Sequence, residues 1–203
     1  MAISNGYVTV EELQAALDPT GAASFAAAEH GLMEVAIEAA SRWIDETTGS
    51  RFYLTVGPRI YTAEWYDLLY IDDATAVTAV KTDENGDGVY ETVWSASDYV
   101  LEPRGNPGQG RPYRQIRINR ELGRHAFPRL SGGVEVTGSF GYGVAPAVVR
   151  QACLLVAMRL YRRRDAIFGV AGTPGLGVTV VHAKITADSD VMALLQAVDR
   201  RVI

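Results

Sequence analysis

The period of the hydrophobic pattern changes twice along this chain, and that change limits the folds open to it. Near both ends apolar residues recur at three- and four-residue spacing, while between about 51 and 144 they alternate in short runs broken by turn residues. The first pattern buries one stripe of a helix and the second buries one face of a sheet. Thr9-Val-Glu-Glu12 has the form of a capping box, so a short helix is expected through Leu13 to about Leu17, ended by Asp18-Pro19. After a linker at 20–24 a long helix is expected from about Phe25 to Thr47. Its apolar face reads as Leu32, Val35, Ala36, Ala39, Ala40, Trp43, Ile44 and Thr47, and Gly49 lies just past its end. Pro146 opens another helix, to about Arg164, with Val149, Ala152, Cys153, Val156, Ala157, Leu160 and Tyr161 as its stripe. Candidate strands are 59–65, 68–71, 76–82, 89–94, 98–102, 114–118 and 133–140. Val178 to Ile185 is a further strand candidate, and Asp188 or Ser189 caps a last helix to about Arg201. The fold class that follows is α+β. A small α-helical bundle is built from residues 1–50 and 146–203, with a β-rich unit, 51–145, inserted between.

A chain of 203 residues, 48% hydrophobic and 21% charged, can bury a globular core. It holds no run near the roughly 20 apolar residues that span a bilayer. Its opening, MAISNGYVTVEEL, lacks the basic and apolar regions of a secretory signal. Cys153 is the only cysteine; in the apolar run ACLLVAM it reads as a buried, inert thiol, which fits folding in the cytosol.

The net charge of −5 conceals two halves of opposite sign. Residues 1–103 hold 18 acids and 4 bases, residues 104–203 hold 6 acids and 15 bases, and 17 of the 19 bases are arginine. Either the halves neutralise each other within one copy, or opposite faces are complementary and copies associate head to tail. Seven arginines fall between 104 and 129: Arg104, Arg111, Arg114, Arg117, Arg120, Arg124 and Arg129, with Tyr113 and Phe127 among them. They are a candidate surface for an acidic protein neighbour or for nucleic-acid backbone, against the plainer reading of a solvated strand and loop. Arg159, Arg162, Arg163 and Arg164 close the Pro146 helix, where cations suit the negative end of the dipole and could also dock an acidic partner.

Other motifs carry little chemistry. Asp83-x-Asn85-x-Asp87-Gly88 begins like a calcium-binding EF-hand loop, but its twelfth position is Trp94 instead of a bidentate Glu, and its flanks read as strands. An Asx- and Gly-rich hairpin is the better account. The glycines at 138, 141 and 143, and those at 172, 175 and 177, do not form a dinucleotide fingerprint, and no phosphate-loop motif exists. His30, His125 and His182 share no metal-ligand spacing, and Ser139, His125 and Asp98 lack a nucleophile elbow. No catalytic residue, cofactor site or metal site is expected.

Three stretches taken in order carry a resemblance. The first runs from Tyr7-Val-Thr-Val-Glu-Glu-Leu13 to Ala40-Ser-Arg-Trp-Ile-Asp-Glu-Thr-Thr-Gly-Ser-Arg-Phe52. The second is Asp83-Glu-Asn-Gly-Asp-Gly-Val-Tyr-Glu91 followed by Ser97-Asp-Tyr-Val-Leu-Glu-Pro103. The third is Val134-Glu-Val-Thr-Gly-Ser-Phe-Gly-Tyr-Gly143 leading into the helix Val148 to Arg164. This order resembles the head–tail connector (adaptor) proteins of long-tailed bacteriophages and gene transfer agents. The resemblance implies a virion protein without catalysis, folded in the host cytoplasm and located at the head–tail junction. It implies a ring, usually a dodecamer, beneath the portal protein. That ring extends the DNA channel, lets DNA pass without sequence-specific binding, and docks a stopper or tail protein; no membrane is involved. It also implies that the segment from about Gly169 to Ile203 reaches the portal. There Gly169, Gly172, Gly175 and Gly177 supply mobility, and Arg200 and Arg201 close the last helix. Another neck or tail ring, a stopper or terminator, is the alternative within that class. A nucleic-acid- or sugar-binding module is the alternative outside it.

Overall fold

A computed structural model describes residues 4–22, 25–105, 110–121, 126–163 and 189–199. The fold is α+β, and the chain divides into two compact units: Met1–Gly49 with Ala145–Ile203, and Ser50–Val144. The expected strand 178–185 lies outside the described residues.

The first unit contains α1 (Val10–Leu17), α2 (Ala27–Thr48), α3 (Ala147–Arg162) and α4 (Ser189–Gln196). Its start is set locally. The Glu12 amide donates to Thr9 Oγ1 at 3.2 Å while the Thr9 amide donates to Glu12 Oε2 at 2.9 Å. That reciprocal pair satisfies two N–H groups that a bare helix end leaves unmet. Val8 and Leu13 on either side of the cap are buried. Gly49, at φ 67°, takes the left-handed conformation that stops α2.

The buried face of α2 differs from the expected one. Leu32 and Val35 are 51% and 58% exposed, whereas Met33, Ala36, Ile37, Ala40, Ser41, Ile44 and Thr48 are buried. The buried stripe is rotated from the expected one, taking in Met33, Ile37 and Ser41 in place of Leu32 and Val35. Ser41 Oγ donates to the Ile37 carbonyl at 2.8 Å and lies 3.4 Å from Cys153 Sγ on α3. A buried hydroxyl that bonds back to its own helix counts as filled space, which a hydropathy scale does not register. In α3 the buried set is Val149, Ala152, Cys153, Val156, Ala157 and Tyr161; of the expected stripe only Leu160 is partly exposed. Tyr161 reaches back to Glu29 on α2 at 3.1 Å. Val191 and Leu195 of α4 are buried, and α4 packs chiefly on α3.

The second unit is one antiparallel sheet: β1 (Thr55–Tyr61), β2 (Leu68–Thr82), β3 (Thr92–Val93), β4 (Tyr99–Glu102), β5 (Tyr113–Ile118) and β6 (Val134–Phe140). The order is β1-β6-β2-β5-β4, with β3 also on β2. The two expected strands 68–71 and 76–82 are a single strand, β2. Its first half pairs with β5 and its second half with β6, and the register shifts between Tyr70 and Ala74, Ala74 and Ala76, and Val77 and Ala79. Such irregularities bend a strand. Here they fall where β2 passes from its partner β5 to its partner β6. Leu69, Ile71 and Ile116 join Val80, Val134, Val136 and Phe140 in a common core. Trp94 stacks on Phe127 with ring centroids 4.7 Å apart. Arg59 lies 4.1 Å over Phe140 and 2.6 Å from Asp72.

Candidate interaction surfaces

The arginines of the 104–129 stretch divide by location. Arg104, Arg111 and Arg129 are exposed in loops, and Arg124 lies outside the described residues. Three others sit on or beside the sheet and meet acids from neighbouring strands. Arg114 Nε is 2.8 Å from Asp73, a side chain only 3% exposed. Burial alone would lower the Arg114 pKa, but the Asp73 carboxylate beside it holds it above its ordinary value. Arg117 Nε lies 3.2 Å from Glu102 on β4. Arg120 pairs with Asp67, and the hydrogen bond from Arg120 is the first reason that the Asp67 carboxyl sits below its usual range. Arg114, Arg117 and Arg120 therefore tie β2, β4 and β5 together.

In the helical unit, Arg162 is exposed at the end of α3, as are Arg159 and Arg163. Arg164, Gly169, Gly172, Gly175, Gly177, Arg200 and Arg201 lie outside the described residues, as do His125 and His182. His30 is exposed and meets the Gln14 side chain at 2.8 Å. A groove of about 730 Å³ runs between α1 and α3; Val8, Ala15, Ala16 and Leu154 line it, and the Glu12–Arg150 ion pair borders it. No described helix is long and apolar enough to cross a membrane. Cys153 is buried, and burial first of all pushes its thiol up to about 11.

The 83–91 loop is a chain of Asx turns. The amides of Asn85, Asp87 and Val89 each donate to the side-chain oxygen of the residue two before, at 3.1, 2.9 and 2.8 Å. Asp83 also accepts from the amides of Gly86 and Gly88. Burial raises its pKa, but these backbone donors outweigh that and hold the carboxyl below its ordinary value. Asp83, Asp87 and Glu91 bring carboxylate oxygens within 4.8 Å of one another, a spacing that a divalent cation could bridge. Asn85 Nδ2 already donates to Asp87 and Glu91 at 3.2 and 3.3 Å. The sequence does not mark Glu91 as a ligand because an EF-hand template looks for its last acid at position 94.

Several exposed apolar side chains of the β unit are marked by no sequence motif. On β1, Val56 and Ile60 are 75% and 62% exposed; between β1 and β2 and on early β2, Trp65, Tyr66 and Tyr70 are 56%, 60% and 53% exposed. The exposed side chains of a strand can be read only once its partners are known.

No protein-family model and no curated protein matches the chain. Solved structures do share its fold. A chain in the virion of a native gene transfer agent particle superposes with a TM-score of 0.62 at 23% identity, over 98% of this chain and 92% of that one. A chain in the neck of an empty gene transfer agent particle, computed with C6 symmetry, gives 0.59 at 22% identity over 97% and 91%. One in the neck of a native particle, computed with C12 symmetry, gives 0.53 at 23% identity over the same shares.

Proposed function

We propose that this chain is a non-enzymatic structural protein of a phage-like particle, one copy of a ring in the neck between head and tail. The observation that carries this reading is the fold likeness, which extends over 97–98% of the chain, to chains in gene transfer agent particles whose necks were computed with C6 and C12 symmetry. The likeness takes in both the helical unit and the β unit, as the order of motifs along the sequence does.

The finer assignment is a head–tail connector. Copies assemble beneath the portal as a dodecamer, continue its DNA channel, and present their far side to a stopper or tail protein. DNA moves through without being read. Weak attraction to the passing DNA accords with arginines engaged by neighbouring carboxylates: Arg114, Arg117 and Arg120 each carry an acidic partner. An arginine already paired has less charge to offer a phosphate.

The test is to mix the full chain with purified portal protein and image the product by electron microscopy. A ring added to the outer face of the portal is expected. A chain that stays unbound, or binds DNA in a salt-sensitive way in place of portal, refutes the connector assignment.

A further inference from the structure

The chain holds two Asn–Gly pairs, Asn5–Gly6 and Asn85–Gly86. In such a pair the glycine nitrogen can attack the asparagine Cγ, because no glycine side chain obstructs the approach. The nitrogen first gives its proton to water. A C–N bond then forms, the side-chain nitrogen leaves as ammonia, and a succinimide ring remains. Water opens that ring at either carbonyl to leave aspartate or isoaspartate, so one water is consumed and one ammonia released. Both asparagines are exposed, and solvent access does not separate them. Their charged surroundings do. Once the glycine nitrogen has lost its proton, resonance shares the negative charge with the asparagine carbonyl oxygen of the same peptide unit. At Asn5 that oxygen accepts a hydrogen bond from Arg42 Nη2 at 3.0 Å. Arg42 is held in place by Asp45, 3.0 Å from its Nε, and by the Tyr7 ring, whose centroid is 5.9 Å away. Tyr7 is buried and bonds Asp45 through its hydroxyl. Asp45 offsets part of the guanidinium charge, but it does so at Nε and leaves Nη2 on the Asn5 oxygen. Among the described residues none accepts from the Gly6 amide. Asn5 itself stands at φ 62°, a conformation a non-glycine residue leaves readily.

The same dipeptide meets the opposite charge at position 85. The Gly86 amide donates to Asp83 Oδ1 at 2.7 Å, and the Asn85 amide donates to the same oxygen at 3.1 Å. A carboxylate thus faces the nitrogen that would have to become negative, and it holds the proton that would have to leave. The Asn85 side chain is fixed as well. Its Oδ1 accepts from the Asp87 amide at 2.9 Å, and its Nδ2 donates to Asp87 and Glu91 at 3.2 and 3.3 Å. From this contrast we propose that Asn5 is a site of spontaneous deamidation in the folded protein and that the 83–91 loop protects Asn85 from the same reaction. The products differ in consequence. At Asn5 a new carboxylate arises beside Arg42, and isoaspartate reroutes the main chain through Cβ and Cγ, which draws the carbonyl away from Nη2. At Asn85 an aspartate would lose both Nδ2 bonds and face Asp87 and Glu91 as a like charge, so its protection keeps the loop together.

The full chain, incubated in mildly alkaline buffer with and without urea, tests this. Peptide mapping by mass spectrometry follows the conversion of amide to acid at each asparagine, and chromatography separates aspartate from isoaspartate. In urea the two pairs should react at similar rates. In the folded protein Asn5 should react about tenfold or more faster than Asn85, the factor that follows from having to release a hydrogen bond to a charged acceptor. Arg42→Met keeps the apolar stem and removes the guanidinium. It should slow Asn5 severalfold in the folded chain and leave its rate in urea unchanged, with circular dichroism reporting that the helices persist. Asp83→Asn removes the opposing charge in the other unit and should speed Asn85 in the folded chain alone. Equal rates at the two asparagines in the folded protein, or a faster Asn85, overturn the proposal. So does a folded Arg42→Met chain whose Asn5 reacts at the wild-type rate. If Arg42→Met fails to fold, Asp83→Asn decides: an unchanged Asn85 rate there overturns the electrostatic argument, and a raised one upholds it.

Discussion

Gly141 and Gly143 give a sharp internal comparison, because both have positive φ and only one is enclosed. Gly141 has φ 110°, and a Cβ there would lie 2.0 Å from the Tyr53 carbonyl oxygen and 2.9 Å from its carbon. Gly143 has φ 77°, with nothing within 4 Å of the same position. An L residue in the left-handed region costs about 1–2 kcal/mol. Replacing Gly by Ala returns about 0.4–1 kcal/mol by restricting the unfolded chain. Gly143→Ala should therefore cost about 1 kcal/mol or less. Gly141→Ala adds a collision with backbone, which cannot rotate away. Overpacking of that kind costs about 1–3 kcal/mol more, and the shift would also strain the 2.6 Å bond from the Gly141 amide to the Asp73 carbonyl. A loss of about 3 kcal/mol follows. For a unit of this size it lowers the melting temperature by roughly 12–20 °C, against about 5 °C or less for Gly143→Ala. Thermal unfolding followed by circular dichroism in the β-sheet band reads both. Equal losses at the two positions would refute the argument that close approach, and not φ alone, requires the glycine at 141.

Other outcomes follow from single contacts. Leu195→Ala removes a side chain that is 2% exposed on α4 and should cost about 2–5 kcal/mol, read as a lower melting temperature of the helical signal. Asp83 has its folded pKa below the ordinary 3.8, so its contribution is present above that value and is lost as pH falls through the folded one. The melting temperature should be flat above about pH 5 and fall below about pH 4, and Asp83→Asn should remove that acid-sensitive component. Cys153, with its thiol pushed up to about 11 and buried, should react with a maleimide at pH 8 only as fast as the helical unit opens, and at once in denaturant.

What could be read from the chain alone was whatever local chemistry decides. Thr9 and Glu12 are three residues apart and cap each other wherever the helix packs. Gly49 stops α2 because only its own backbone angles matter. The run of Asx turns from Asp83 to Val89 is held by bonds between residues two apart. The α+β class followed from the same kind of evidence, since a helical or alternating period is a property of the segment. The limits of that reading are equally physical. Leu32 and Val35 were expected inside α2 from their spacing; Ile37 and Ser41 are inside because Cys153 of α3 comes close there. Sequence gaps between 71 and 76 suggested two strands, but bulges let one strand pass from one partner to another. The arginine run looked like a free basic surface, yet Arg114 meets Asp73, forty-one positions away in the chain. Which apolar side chains of the β unit stay exposed is a property of the fold, because the outer face of a strand exists only when a neighbour has claimed the inner one.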